Sequence, residues 1–247
     1  MSGHSEQEYL GVMDASYAAD RLEKKYLNYR YRVRAQVAVD AFREFHPHAY
    51  EPKVLELGAA DGLTLLKIRE FLGGDGDYLG VEYAEDLLAA APELPENVRM
   101  IQGDVMALPE EIEDNSYDFT TILAVLEHLT RPADCVEEAY RALKPGGIMV
   151  ATCPNPFWDD LAGKFGMVKD EYHEIEATPE LLVKLAVDAG FTNVSFRPFM
   201  WVFTGVLPYV GIEMTPEMSL LVDDLVHKLG LLDFSFVNQA VVAQKPL

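Results

Sequence analysis

The sequence predicts an α/β fold built on a doubly wound, mostly parallel sheet. Three observations carry that expectation. Short β-type runs alternate with helical runs between residues 53 and 153, and such alternation builds a parallel sheet with helices on both faces. A glycine turn, Gly58-Ala59-Ala60-Asp61-Gly62, joins the first β run to the helix after it, where a ligand can approach the backbone closely. The chain of 247 residues is 49% hydrophobic, enough for one full-sized core.

The elements follow in order. Residues 15 to 45 read as one helix, because Leu22, Tyr26, Tyr29, Val33 and Val37 recur at spacings of three and four. Arg21, Lys24, Lys25, Arg30, Arg32 and Arg34 fill much of its other surface. The commoner reading is a solvated face with tyrosines docked on the core. The alternative is a lid over a ligand, with Arg30 or Arg34 meeting a carboxylate. Lys53 to Leu57 is the first strand, and residues 63–72 form a helix closed by Gly73-Gly74-Asp75-Gly76. Tyr78–Glu82 is the second strand, Asp86–Ala91 a short helix stopped by Pro92, and Val98–Ile101 the third strand. Tyr117–Leu123 is the fourth strand, Pro132–Leu143 a helix with proline in its first turn, Lys144–Gly147 a turn and Ile148–Thr152 the fifth strand.

Thr178-Pro179-Glu180 opens a helix that Gly190 stops, and Thr192–Arg197 is the sixth strand. Thr215-Pro216-Glu217 opens a last helix ending near Gly230, before a seventh strand at Phe234–Ala243. The last two strands are thus separated by an insertion of about 35–40 residues, far longer than the usual loop of about 2–6. Such insertions often shape a substrate pocket. The whole of 1–247 reads as a single domain: an N-terminal helical cap over 1–50, a ligand-binding core over 53–153, and substrate-side loops with closing strands over 154–247.

Charge narrows the partners. Against 20 Lys and Arg stand 41 Asp and Glu, a net charge of −21. That argues against nucleic acid and anionic membranes, which bind cationic surfaces. No apolar stretch reaches the ~20 residues of a membrane span. Cys135 and Cys153 form no CxxC pair, as in a reducing compartment, and Met1–Leu10 lacks the apolar run of a signal peptide. A cytoplasmic location is expected.

Four segments carry chemistry. Glu56, Gly58 and Gly62 make an E-x-G-x-x-x-G turn with Ala60 inside it. A dinucleotide site has G-x-G-x-x-G there, so this turn suits a ligand without phosphate. Glu82 ends the second strand, where a carboxylate accepts from both ribose hydroxyls; the plainer reading is a polar strand end. Asp104, in Gly103-Asp104-Val105, can accept from an adenine amino group while Val105 packs on the ring, or it can cap a turn. Ile122-Leu123-Ala124-Val125-Leu126-Glu127-His128 closes the fourth strand.

These segments, with Leu143-Lys144-Pro145-Gly146-Gly147, resemble the class I S-adenosylmethionine-dependent methyltransferases over about residues 53–153 plus the closing helix and strands. The resemblance implies a Rossmann-like, seven-stranded fold, S-adenosylmethionine as methyl donor and S-adenosylhomocysteine as product. It also implies that Glu56, Gly58, Ala60 and Gly62 surround the methionine part. Glu82 holds the ribose, Tyr83 lies by the adenine, Asp104 and Val105 hold the adenine, and the backbone near Leu123 and Ala124 lies close to the sulfonium. Metal-using relatives carry an extra Glu three residues before the Glu-His pair. Ala124 stands there, so no metal is expected.

Methyl transfer from a sulfonium needs alignment and exclusion of water. An oxygen acceptor also needs a base. His128 and His173 are the candidates; the plainer readings are a helix-start residue for His128 and an exposed loop residue for His173. No Asn-Pro-Pro-Tyr-like tetrapeptide follows the fourth strand. A small-molecule acceptor is therefore expected, with oxygen preferred. The alternative is a non-catalytic binding or assembly protein of this fold, with a nicotinamide dehydrogenase third. The uncharged run Phe199–Ile212 lines an acceptor pocket, packs on the core or makes a homodimer contact, core packing being favoured. Pro154–Trp158 is a second wall for such a pocket, or ordinary packing.

Overall fold

The computed structural model describes residues 15–164, 173–229 and 233–247. Its strands are β1 (Lys53–Leu57), β2 (Asp77–Glu82), β3 (Val98–Gln102), β4 (Tyr117–Leu123), β5 (Leu143–Pro154), β6 (Thr192–Trp201) and β7 (Phe236–Gln244). They form one sheet in the order β3-β2-β1-β4-β5-β7-β6. β1 to β5 pair in parallel, and β7 runs antiparallel between β5 and β6. This is the Rossmann-like, mostly parallel seven-stranded sheet expected above.

Period-2 alternation divides the core. Val54, Phe119, Ile148 and Val150 face α2 (Lys25–Phe45) and α3 (Leu63–Leu72). Leu55, Leu57, Ile122 and Met149 face α5 (Pro132–Ala142) and α7 (Pro179–Asp188). Each such side chain, fully buried, contributes about 1.5–3 kcal/mol. Helix ends follow their signals: Thr178 Oγ1 accepts from Leu181 N at the start of α7, and Gly73, at φ +103°, ends α3. Both cysteines are free and buried. Among the described residues no helix is long and apolar enough to cross a membrane.

Four local expectations are corrected. The N-terminal helix is two helices, α1 (Ala15–Glu23) and α2, parted at Lys24, whose backbone is extended. α1 turns off the axis of α2 because Ala18 packs with Ala84 and Leu87, at α4 (Glu85–Ala89). Leu22 is consequently left exposed, off the shared face. Lys144–Gly147 is not a free turn but a bulge inside β5: Tyr117 pairs with Leu143, and Phe119 already with Ile148. After β5 comes an unforeseen helix, α6 (Pro156–Lys164); Asn155 Oδ1 accepts from Phe157 N at its start. The insertion before β7 holds α8 (Val202–Val206), a 3-10 turn (Leu207–Val210) and α9 (Pro216–Lys228) rather than one helix. Within Phe199–Ile212, Phe199 and Met200 join the core, whereas Phe203, Val206, Val210 and Ile212 are exposed. Gly230, residues 1–14, Glu171 and Tyr172 lie outside the described residues.

Candidate functional site

Strand order reverses at β1 and β4: β1 leads outward to β2 and β3, and β4 leads the other way to β5. The loops after β1 and β4 therefore part at the carboxyl edge and leave a cavity, as in other open α/β sheets. Glu56, Gly58, Ala60, Glu82, Tyr83, Asp104, Val105, Leu123 and Ala124 all line it. Gly62 does not; at φ +78° it caps α3 in the left-handed region. Gly58 has φ +75°, and a Cβ on it would sit 2.5 Å from Val125 Cγ2, so the turn after β1 has no room for a side chain.

The carboxylates have distinct surroundings. Glu82 Oε2 accepts from Ala60 N at 2.8 Å, and Oε1 from Ala84 N at 2.9 Å, so Glu82 ties the glycine turn to the end of β2. Each carboxylate oxygen keeps a second lone pair for a ligand. Asp104 Oδ1 accepts from Met106 N at 2.8 Å, which is the turn-capping role, while the residue also lines the cavity. Glu56 is 1% exposed, and its Oε2 has no hydrogen-bond partner among the described residues. Burial pushes its carboxyl up to about 8; Arg21 opposes that rise, and Asp61 and Glu82 add to it.

α1 and α2 roof this cavity with Tyr17, Arg21, Leu27, Arg30, Tyr31 and Arg34. The lid reading of the N-terminal helices therefore prevails over the solvated-face reading. The carboxylate that anchors the roof is Asp61, and its partner is Arg21 rather than Arg30 or Arg34. Arg21 Nη1 lies 2.7 Å from Asp61 Oδ1, and Nη2 donates to Thr64 Oγ1 at 2.5 Å. The guanidinium also stands over Tyr31 at 4.7 Å and Tyr17 at 5.6 Å. An Asp in a tight turn was the available signal for a buried cation; helical periodicity hid it.

At the far end of the cavity a 3-10 turn, Leu126–His128, follows β4. Glu127 and His128 line the cavity, and His173 does not. His173 stands behind His128, ring centroids 5.0 Å apart. Its loop is pinned to the turn by Glu174 N donating to Glu127 O at 2.8 Å. His173 Nδ1 lies 2.8 Å from Asp159 Oδ2 on α6, and Asp159 lines the cavity. Sequence reasoning missed Asp159 because Pro154-Asn155-Pro156 reads as a loop. Glu127 is 2% exposed with Oε2 unpartnered among the described residues. Burial and the neighbouring Glu127 push the Cys153 thiol well up. Donor atoms of Glu127, His128 and His173 lie within 4.8 Å of one another, the residue types that hold a divalent cation.

Residues 55–151 match the family model described as a methyltransferase domain. Demethylmenaquinone methyltransferase from Staphylococcus aureus (strain JH9) is 30% identical over 172 residues, 60% of this chain and 70% of that protein. Among solved structures, a chain of the complex between the Haloferax volcanii Trm112 methyltransferase activator and a methyltransferase aligns over 94% of both chains, with TM-score 0.66 and 16% identity. A SAM-dependent methyltransferase from Archaeoglobus fulgidus aligns over 85% of this chain and 94% of its own, with TM-score 0.57 and 19% identity. At those identities the structures speak for the fold alone. With the sequence relative and the family model, the chain belongs to the class I S-adenosylmethionine-dependent methyltransferases, and S-adenosylmethionine is its methyl donor.

Proposed function

We propose that the chain transfers the methyl group to an oxygen of a small-molecule acceptor, with His128 taking the acceptor's proton. The cofactor's methionine end then lies along Glu56, Gly58 and Ala60, its ribose on Glu82, and its adenine between Tyr83, Asp104 and Val105. Its sulfonium faces the backbone at Leu123 and Ala124. The fit rests on two features of the cavity. The bare backbone at Gly58 gives room for close approach, and the unpartnered, buried Glu56 oxygen suits the cofactor's ammonium group.

The observation that carries the oxygen reading is His128: it lines the same cavity as Leu123 and Ala124, at the end of β4. His173 is the better placed of the two to support rather than to touch the acceptor, because it stands behind His128 with Asp159 on its Nδ1. The other candidate base is thus a positioning group in this reading. The protein's part is to align the acceptor oxygen with the methyl carbon, exclude water and hold the departing proton.

The test is a turnover screen of phenols, hydroxy acids and amines with S-adenosylmethionine. His128→Ala should lower kcat on a hydroxyl acceptor by about 10²–10⁴-fold, with S-adenosylhomocysteine binding retained. An equal loss on an amine acceptor, or loss under chelator that a divalent cation restores, would overturn His128 as the base. Demethylmenaquinone belongs in the screen as a second reading. The Staphylococcus aureus relative is named for it, and Leu27, Leu129 and Pro154 give this cavity apolar wall.

A further inference from the structure

We propose that the outer face of α9 is the seam of a two-fold homodimer of this chain. The orientation of α9 is fixed from inside. Asp223, 3% exposed, accepts from Met200 N at 2.6 Å and Trp201 N at 2.8 Å. Tyr29 Oη donates to Ser219 Oγ at 2.7 Å, and Val226 packs inward. A helix so anchored normally turns polar residues outward. α9 instead presents Met218, Leu221 and Leu225, continued by Leu229, at 49%, 71%, 56% and 68% exposure. Their spacing of three, four and four is that of a helix-pairing seam. Val210 and Ile212, both exposed, extend apolar surface into the preceding turn and loop.

The occupant follows from charge. At about 100° per residue, Glu217, Asp224 and Lys228 fall together along one flank of the stripe. The flank is acidic at its start, and His227 and Lys228 close the helix. An antiparallel copy related by a two-fold axis near Asp223 sets Leu221 against the partner's Leu225. The same operation brings Glu217 to the partner's Lys228, and, by symmetry, Lys228 to the partner's Glu217. A parallel two-fold copy would carry this flank to the opposite side of the seam and leave Glu217 and Lys228 without each other. The face is thus self-complementary in the one way that a closed two-fold pair requires. An anionic bilayer fits worse, since the acidic Glu217 and Asp224 flank the stripe. No stripe residue lines the cavity, so pairing and cofactor binding are separable.

Sedimentation velocity on the full chain at micromolar concentration should give twice the chain mass of 27.6 kDa. Leu221→Asp with Leu225→Asp should yield a monomer. Both side chains are more than half exposed, so its circular dichroism and S-adenosylhomocysteine affinity should match the wild type. Lys228→Glu should raise the dimer dissociation constant at least tenfold, and Glu217→Lys with Lys228→Glu should recover most of that loss. A monomeric wild type would overturn the proposal, as would a dimer indifferent to the Leu221 and Leu225 changes. Binding of a monomeric wild type to phosphatidylcholine vesicles would reassign the face to a membrane.

Discussion

A carboxyl group walled into a cavity resists ionisation until a cation comes close, and the Glu56 carboxyl is held by burial toward its protonated form against the pull of Arg21. It sits at the end of β1 with one oxygen unpartnered, and burial pushes it up to about 8 from 4.5. The folded chain therefore holds this proton over a range where the unfolded chain has released it. The resulting stabilisation is full below about pH 4.5, declines as pH rises and is gone above about pH 8, a span of at most about 5 kcal/mol. Asp61 and Asp223 are also raised by burial, so the wild type alone does not isolate the effect; the comparison with Glu56→Gln does. Chemical denaturation from pH 5 to pH 8 should show the wild type losing stability more steeply than Glu56→Gln. Parallel curves would mean that Glu56 is already ionised in the apo protein.

At the scale of elements, the roof over the cavity hangs on one buried pair. α1 is nine residues long, too short to hold its shape by itself, and its Arg21–Asp61 contact is buried on both sides. Removing one partner of a buried pair costs about 3–5 kcal/mol, because the other charge stays buried without it. Arg21→Ala should raise amide exchange through Ala15–Glu23 and weaken S-adenosylhomocysteine binding at least tenfold, with the sheet's exchange unchanged. Undisturbed exchange in α1 would show that the Ala18–Leu87 packing holds the roof alone. Much around this roof was legible beforehand. The strands at Lys53, Tyr78 and Tyr117 announce themselves as β-type runs, the first set between Pro52 and Gly58, and Gly58 announces itself by the turn it must make. The lid pair was not legible. Arg21 reads as one more basic residue on a helix until the chain folds Asp61 against it, 40 positions away. Asp159 was hidden for a related reason: a proline-bounded stretch gave no periodicity to read, and its partner His173 is supplied by another loop. Pairwise chemistry across long separations leaves no local pattern, whereas packing against a sheet leaves a period.

The molecule as a whole carries a field that distinguishes the two forms of its own cofactor. A net charge of −21 maintains a negative potential that can reach several kT at low ionic strength. S-adenosylmethionine carries one net positive charge at neutral pH, and S-adenosylhomocysteine, having lost the sulfonium, carries none. The field therefore draws in the donor and is indifferent to the product, even though the two occupy the same cavity. Local cations temper this: Arg30 and Arg34 line the roof, and Arg21 is neutralised by Asp61. Salt separates the long-range part from the contacts, since the screening length falls from about 30 Å at 0.01 M to about 10 Å at 0.1 M. Calorimetric titrations across that range should show donor affinity falling several-fold as salt is added and product affinity holding level. The ratio of the two is the informative quantity, because any effect of salt on the fold or on dimerisation acts on both ligands alike. A ratio independent of salt would mean that Arg30 and Arg34 cancel the field at the cavity mouth. In that case neutralising either arginine should restore the salt dependence and tighten donor binding relative to product.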